Sequence, residues 1–124
     1  MNHPNDLKYT KEHEWVKIHN NSVTVGITDF AQGELGDIIF IELPNEGESF
    51  DAGEIFGTIE AVKTVSDLYM PVSGKIIEVN NSINDNPEFV NEDPYEKGWM
   101  IKIELSSVDS SLLLDSESYL NLIQ

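Results

Sequence analysis

"GTIEAVKTVSDLYMPVSG", residues 57–74, is the stretch on which the reading of the whole chain turns. "EIFGTIEA" before Lys63 and "VSDLYMPV" after it both alternate in polarity with the period of a strand, which makes residues 54–72 a β-hairpin with Val62-Lys63-Thr64-Val65 as its connection. That connection contains neither Asn-Gly nor a Gly to supply positive φ, so the turn is expected to use a type I geometry open to ordinary residues. Valine and threonine beside the Lys are stiff at χ1, and the expectation is a rigid apex that holds the ammonium away from the body of the domain. Pro71 removes a backbone donor, which puts the second strand at a sheet edge or marks its end.

Working outward, alternation continues in "SVTVGI" (Val23, Val25, Ile27), "DIIFIEL" (Ile39, Ile41, Leu43), "KIIEV" (Ile77, Val79) and "WMIKIEL" (Trp99, Ile101, Ile103, Leu105), each with one apolar face. Pro, Asn, Asp and Gly punctuate the chain at 44–47, 51–53 and 72–75. The prediction is a mostly β domain, a sandwich or flattened barrel, in one unit over residues 1–124. "DFAQGEL" at 29–35 reads as a short helix capped by Asp29, with Phe30 and Leu35 turned inward. From Asp109 the period changes, and Leu112–Leu114, Tyr119, Leu120 and Ile123 fit one or two short helices over 109–124, with Asp109 and Asp115 as caps. The polar stretch 80–98 is long for a loop in so compact a domain; Phe89, Val90 and Tyr95 argue that it is anchored, and residues 84–93 within it read as solvated.

Charge narrows the function. Seven Lys, no Arg and 23 acids give a formal net charge of −16, which repels phosphate backbones, and no polybasic cluster is present to meet an anionic membrane. No apolar run reaches the roughly 18 residues of a spanning helix. Absence of Cys excludes disulfides, thiolate metal sites and a Cys nucleophile, so any sulfur chemistry must come from an added group. "MNHPNDLKYT" lacks a signal or transit pattern, and the expectation is a cytoplasmic monomer.

Lys63 has two readings. An exposed Lys at a loop tip often serves solubility alone. Alternatively its ε-amine accepts a cofactor as an amide, a role that needs a long side chain, full exposure and a rigid turn. Catalysis by Lys63 itself is disfavoured, because Glu60 and Asp67 nearby favour the charged amine whereas a Schiff-base or general-base Lys needs the opposite. His3, His13 and His19 lack metal-ligand spacing, and His13 reads as structural; Trp15 and Trp99 read as core. The acids of "NDNPEFVNED" lack the ligand order and central Gly of a calcium loop.

At length the chain resembles a known family, the lipoyl-carrying H protein of the glycine cleavage system. The resemblance rests on "LKYTKEHEWV" (7–16), "VGITDFAQGELGDIIFIELPNEGE" (25–48), "EAVKTVSDLYMPVSGKIIEVN" (60–80) and "DPYEKGWMIKIEL" (93–105). It implies a barrel-sandwich hybrid of the lipoyl/biotinyl type, with lipoate in amide linkage on Lys63 at the hairpin tip. It implies a non-catalytic carrier of an aminomethyl unit from the pyridoxal-phosphate glycine decarboxylase to the folate-dependent aminomethyltransferase, and of the dithiol to dihydrolipoyl dehydrogenase. It also places Glu14, in "HEW", at a cleft that shelters the loaded arm, and leaves Glu60 and Asp67 as recognition points for the lipoate-attaching enzyme. Thr64, Val65 and Met70 depart from the small residues expected around the Lys, but the acceptor amine remains. Of related carrier modules, a biotinyl domain is disfavoured by Val62 and Thr64, where Met is typical, and against a lipoyl domain of a 2-oxoacid dehydrogenase the motifs outside the hairpin favour the H protein. A stand-alone lipoyl or octanoyl relay and an unmodified acidic interaction domain stay open.

Overall fold

The computed structural model describes residues 3–105 and 113–123. Strands β1 (Lys8–Tyr9), β2 (Glu14–His19), β3 (Ser22–Ile27), β5 (Ser49–Phe50), β8 (Gly74–Val79) and β9 (Ile101–Leu105) form a six-stranded antiparallel sheet in the order β1-β2-β3-β9-β8-β5. Strands β4 (Ile38–Glu42), β6 (Ile55–Ala61) and β7 (Val65–Tyr69) form a second, three-stranded sheet in the order β4-β6-β7. One hydrophobic core lies between the layers: Val25, Ile76, Ile101 and Ile103 come from the first sheet, Ile38, Ile41, Ile59 and Leu68 from the second. This is the mostly β sandwich that the alternation predicts, and β7 is an edge strand that ends just before Pro71.

Two strands break the expected faces. In β4 the structure buries Ile38 and Ile41 and leaves Ile39 51% exposed, because the register against β6 shifts between Ile38 and Phe40. In β8, Ile76 is buried and Ile77 is 41% exposed, again beside a register shift, here between Ile76 and Glu78. A bulge inserts one residue, so a two-residue period read through it assigns the following side chains to the wrong face.

Helix α1 (Asp29–Leu35) occupies the predicted residues, but its cap is Thr28, whose Oγ1 accepts from the Ala31 N–H at 3.1 Å. Asp29 instead accepts from the Gln32 side chain at 2.7 Å within the helix. Phe30 and Leu35 are half-buried, and Leu35 packs against the core. The tail becomes α4 (Ser116–Ile123), with Asp115 accepting from the Ser118 N–H at 2.8 Å as the expected cap. Leu114 is not helical: it bridges Tyr9 in an antiparallel pair. Asp109 and Leu112 lie outside the described residues. A smaller cluster of Leu7, Tyr9, Trp15 and Tyr119 sits under this tail, with Trp99 packed against it, which bears out the core reading of both Trp residues.

The stretch 80–98 is anchored as expected, and its residues 84–93 are not a solvated loop. It contains α2 (Ser82–Asp85) and α3 (Glu88–Glu92), and buries Ile83 and Val90 completely. Asn91 explains why so polar a sequence is ordered. Its Oδ1 accepts from the Ile38 N–H at 3.0 Å, and its Nδ2 donates to the Gly36 carbonyl at 2.8 Å and to Gln32 Oε1 at 3.1 Å, joining α3 to both β4 and the end of α1. Asn91→Ala leaves these groups without their partners and is expected to lower the unfolding free energy by about 2 kcal/mol, measured by urea denaturation.

Candidate functional site

The hairpin closes as its sequence requires. Glu60 faces Val65 across the β6–β7 register, and the Ala61 N–H donates to the Thr64 carbonyl at 2.8 Å. None of residues 62–65 has positive φ, in keeping with a turn of ordinary residues. The Val62 N–H donates to the Asp37 carbonyl at 3.0 Å, fixing the apex to the segment between α1 and β4. Val62 is 73% and Val65 61% exposed, so two apolar side chains flank Lys63 in solvent.

Lys63 is exposed and makes no ion pair; the ion pair among the described residues joins Lys102 to Glu78 at 3.4 Å. Its side chain does not stand straight off the domain, as the stiff apex suggested. It folds toward α1, so that a Cβ placed on Gly36 would meet Lys63 Cε at 3.5 Å and Nζ at 4.0 Å. The stiffness of the turn governs its backbone, whereas the four-carbon side chain beyond remains free to lie along apolar surface. Gly36 closes α1 at φ +79, the left-handed region favoured by glycine, with its N–H on the Gln32 carbonyl.

The amine therefore lies near one end of α1, and the helix forms one wall of a cleft of about 320 Å³. Ile27, Phe30, Leu35, Ile59 and Leu68 supply its apolar lining. Glu12, Glu14, Glu34 and Asp67 supply its acids. Glu14, the first residue of β2, lines this cleft and is only 2% exposed. Its Oε2 accepts from the Tyr69 N–H on the edge strand β7 at 2.7 Å, and the Thr10 hydroxyl donates to Oε1 at 3.4 Å. Burial pushes the Glu14 carboxyl up to about 8, only partly opposed by the Tyr69 and Thr10 hydrogen bonds and reinforced by Glu12. No Lys faces it in that cleft. A second hollow of about 520 Å³, lined by Lys11, Gly53, Met70 and Leu114 among others, also reaches Glu14.

His13 precedes Glu14 at φ +66; its Nδ1 lies 2.8 Å from the Tyr119 hydroxyl and its ring centroid 4.9 Å from that of Phe30. Burial lowers its pKa, and Glu12 and Glu34 act in the opposite sense. Glu60 and Asp67, paired in the sequence reading, separate here. Glu60 lies on the outer face of the small sheet between Phe40 and Val65, beside the apex, whereas Asp67 borders the cleft. Sequence reasoning missed Gly36 and the Tyr69 amide, the first visible only as a helix-ending glycine and the second not visible at all.

A family model described as Glycine cleavage H-protein matches residues 7–124. The chain belongs to this family. It is 59% identical over 122 residues to the glycine cleavage system H protein of Staphylococcus epidermidis, covering 97% of this chain and 96% of that one. It is 61% identical over 122 residues to the namesake from Geobacillus thermodenitrificans, covering 96% and 94%. The crystal structure of a glycine cleavage system H protein from Mycobacterium marinum superposes with a TM-score of 0.90 at 41% identity, covering 96% of this chain and 97% of the other. The mostly β barrel-sandwich arrangement is thus the fold of the H-protein family.

The two sheets of this family member differ in charge: the larger carries Glu14, Glu78 and Glu104 beside its lysines. The strand lysines Lys8, Lys17, Lys75 and Lys102 all belong to the six-stranded sheet. Helix α1 and the small sheet carry Asp29, Glu34, Glu42, Glu60 and Asp67 and no Lys or Arg, and Lys63 lies in the turn between β6 and β7. Among the described residues no helix is long and apolar enough to cross a membrane.

Proposed function

We propose that the chain is a lipoyl carrier of glycine cleavage, with lipoate held as an amide on Lys63 and the loaded arm lodged in the cleft that Glu14 lines. The observation that carries this reading is the pairing of an exposed, unpaired amine with an adjacent cleft of apolar walls and one buried carboxyl. The residues present fit the group. An amine outside any ion pair is open to acylation, and about 320 Å³ is room on the order of ten waters at roughly 30 Å³ each, space for an acyl arm to displace. Leu68 lies five residues beyond Lys63, on the order of 16 Å along a strand, which an extended lysyl-octanoyl arm spans. Held there, lipoate would supply a redox-active disulfide able to carry an aminomethyl unit between the decarboxylase, the aminomethyltransferase and dihydrolipoyl dehydrogenase.

The chain's own residues then have distinct tasks. Val62–Val65 present the acceptor amine, with Glu60 beside it as the mark read by the lipoate-attaching enzyme. Ile27, Phe30, Leu35 and Leu68 keep water from the arm. Glu14 takes the protonated amine of the load, the cation its buried carboxyl lacks. Asp67 at the border favours the same charge. The domain, residues 1–124, performs no bond-breaking itself; tethering makes each hand-over effectively intramolecular.

Intact mass and peptide fragmentation of the protein from a lipoate-competent host test the attachment: one lipoyl group on the peptide holding Lys63 is expected, and an unmodified chain would overturn the reading. For the cleft, Glu14→Ala is expected to leave lipoylation unchanged and to speed loss of the aminomethyl unit from the loaded protein about tenfold or more. An unchanged decay rate removes that role from Glu14.

A further inference from the structure

We propose that Tyr119 of the C-terminal helix is a positioning residue of the arm cleft, its hydroxyl joining the two walls that meet at Glu14. The inference rests on the cleft reading given above. Tyr119 is fully buried, and its hydroxyl lies 2.8 Å from His13 Nδ1 and 2.8 Å from Thr28 Oγ1. These partners belong to different walls. His13 leads into β2 and the Glu14 carboxyl, and its ring lines the cleft; Thr28 caps α1, which supplies Phe30, Ala31, Glu34 and Leu35 to the opposite side. A backbone bond, Thr28 N–H to the His13 carbonyl at 3.0 Å, runs beside the Tyr119 link, and Tyr119 adds the side-chain half of the clasp.

Proton positions are consistent with one arrangement. Thr28 Oγ1 already accepts from the Ala31 N–H, so its own proton is available to the Tyr119 oxygen, and the Tyr119 proton goes to Nδ1 of a neutral His13. Burial favours that neutral imidazole and an un-ionised Tyr119 alike. Left-handed φ at His13 is uncommon for a residue with a side chain, and it persists where surrounding bonds over-determine it. Tyr119 can serve as an anchor because it is itself held: its ring stacks on Tyr9 at 4.8 Å and 11°, while Tyr9 and Leu114 exchange backbone bonds at 2.7 and 2.6 Å. The tail helix packs against β1, yet it sets the shape of the place where the load would rest.

Tyr119→Phe keeps the stacked ring and deletes the clasp. In the full, lipoyl-free chain, hydrogen exchange at the Thr28 and Ala31 amides is expected to rise about tenfold while β8 and β9 stay protected. In the loaded protein, loss of the aminomethyl unit is expected to speed three- to tenfold. Thr28→Ser, which keeps a hydroxyl, should behave as wild type in both measurements. Ile103→Val, a core change in β9, controls for general loosening: it should lower thermal stability and leave both readouts unchanged. Unaltered exchange at Thr28 and Ala31 in Tyr119→Phe overturns the proposal, as does an equal acceleration of decay by Ile103→Val. If Glu14→Ala speeds decay and Tyr119→Phe does not, the clasp is wrong and the cleft stands; if neither does, the cleft reading itself falls.

Discussion

Lys63→Arg is expected to leave a lipoate-competent host with the bare mass of its polypeptide, a complete loss of modification with the fold intact. Arginine keeps length and positive charge, so the change isolates one property, the nucleophilic amine. A guanidinium stays protonated at any pH the protein survives and cannot be acylated as an amine can. The turn depends on backbone bonds between Ala61 and Thr64 and between Val62 and Asp37, none of which involves the Lys63 side chain. Thermal unfolding of the variant should therefore match wild type within about 0.5 kcal/mol, as for surface changes generally. Lys75→Arg, on β8 of the other sheet, is the matched control and should be modified normally. Persistence of the lipoyl mass on Lys63→Arg would place the acceptor on another Lys and sink the assignment. On the proposed function every later step would depend on that amide, so glycine cleavage reconstituted with Lys63→Arg should show no turnover above the level without the chain.

The second large effect concerns pH. Glu14 has an ordinary carboxyl value of 4.5 in the unfolded chain and about 8 in the folded one, raised chiefly by burial. Between those values the folded protein holds a proton that the unfolded chain has released, so stability falls as pH rises from about 4.5 to about 8 and is flat for this group beyond. At about 1.4 kcal/mol per pKa unit the penalty at pH 8.5 is on the order of 4 kcal/mol. Glu14→Gln removes the titration, keeps an oxygen for the Tyr69 N–H and presents its amide to Thr10. Urea unfolding of the two proteins should give similar free energies at pH 5 and a gap of a few kcal/mol in favour of Glu14→Gln at pH 8.5. Equal pH profiles would show that Glu14 is not held in its protonated form. The same physics bears on the proposed function: a cation entering the cleft would draw Glu14 to its charged form and so couple loading to proton release.

Much of this was legible in the residues, for identifiable reasons. The hairpin around Lys63, the strands at 22–27 and 101–105 and the helix at 29–35 are short-range patterns, and each occurs where alternation or turn chemistry placed it. Faces failed at Ile39 and Ile77 because a bulge is set by the partner strand and leaves no mark on local periodicity. The solvated reading of 84–93 fails because Asn91 behaves as a loop residue in sequence, while its three bonds go to residues more than fifty positions away. Of the site, Lys63 follows from the hairpin, but Glu14 is one acid among 23 until β7 is known to pass over it. Tyr119 looked like one more apolar position in an amphipathic tail. Its hydroxyl matters only because the fold brings His13 and Thr28 to it.

The absence of Lys and Arg from α1 and the small sheet leaves Lys63 as a cation set against an anionic surface. On the proposed reading, acylation would remove that charge and leave the surface without a cation of its own. A partner with a positively charged face would then draw the arm-bearing surface toward it with more force than it draws the unacylated chain. Modification would thus do more than supply an arm: it would sharpen electrostatic steering at a range of about one Debye length, some 8 Å in physiological salt.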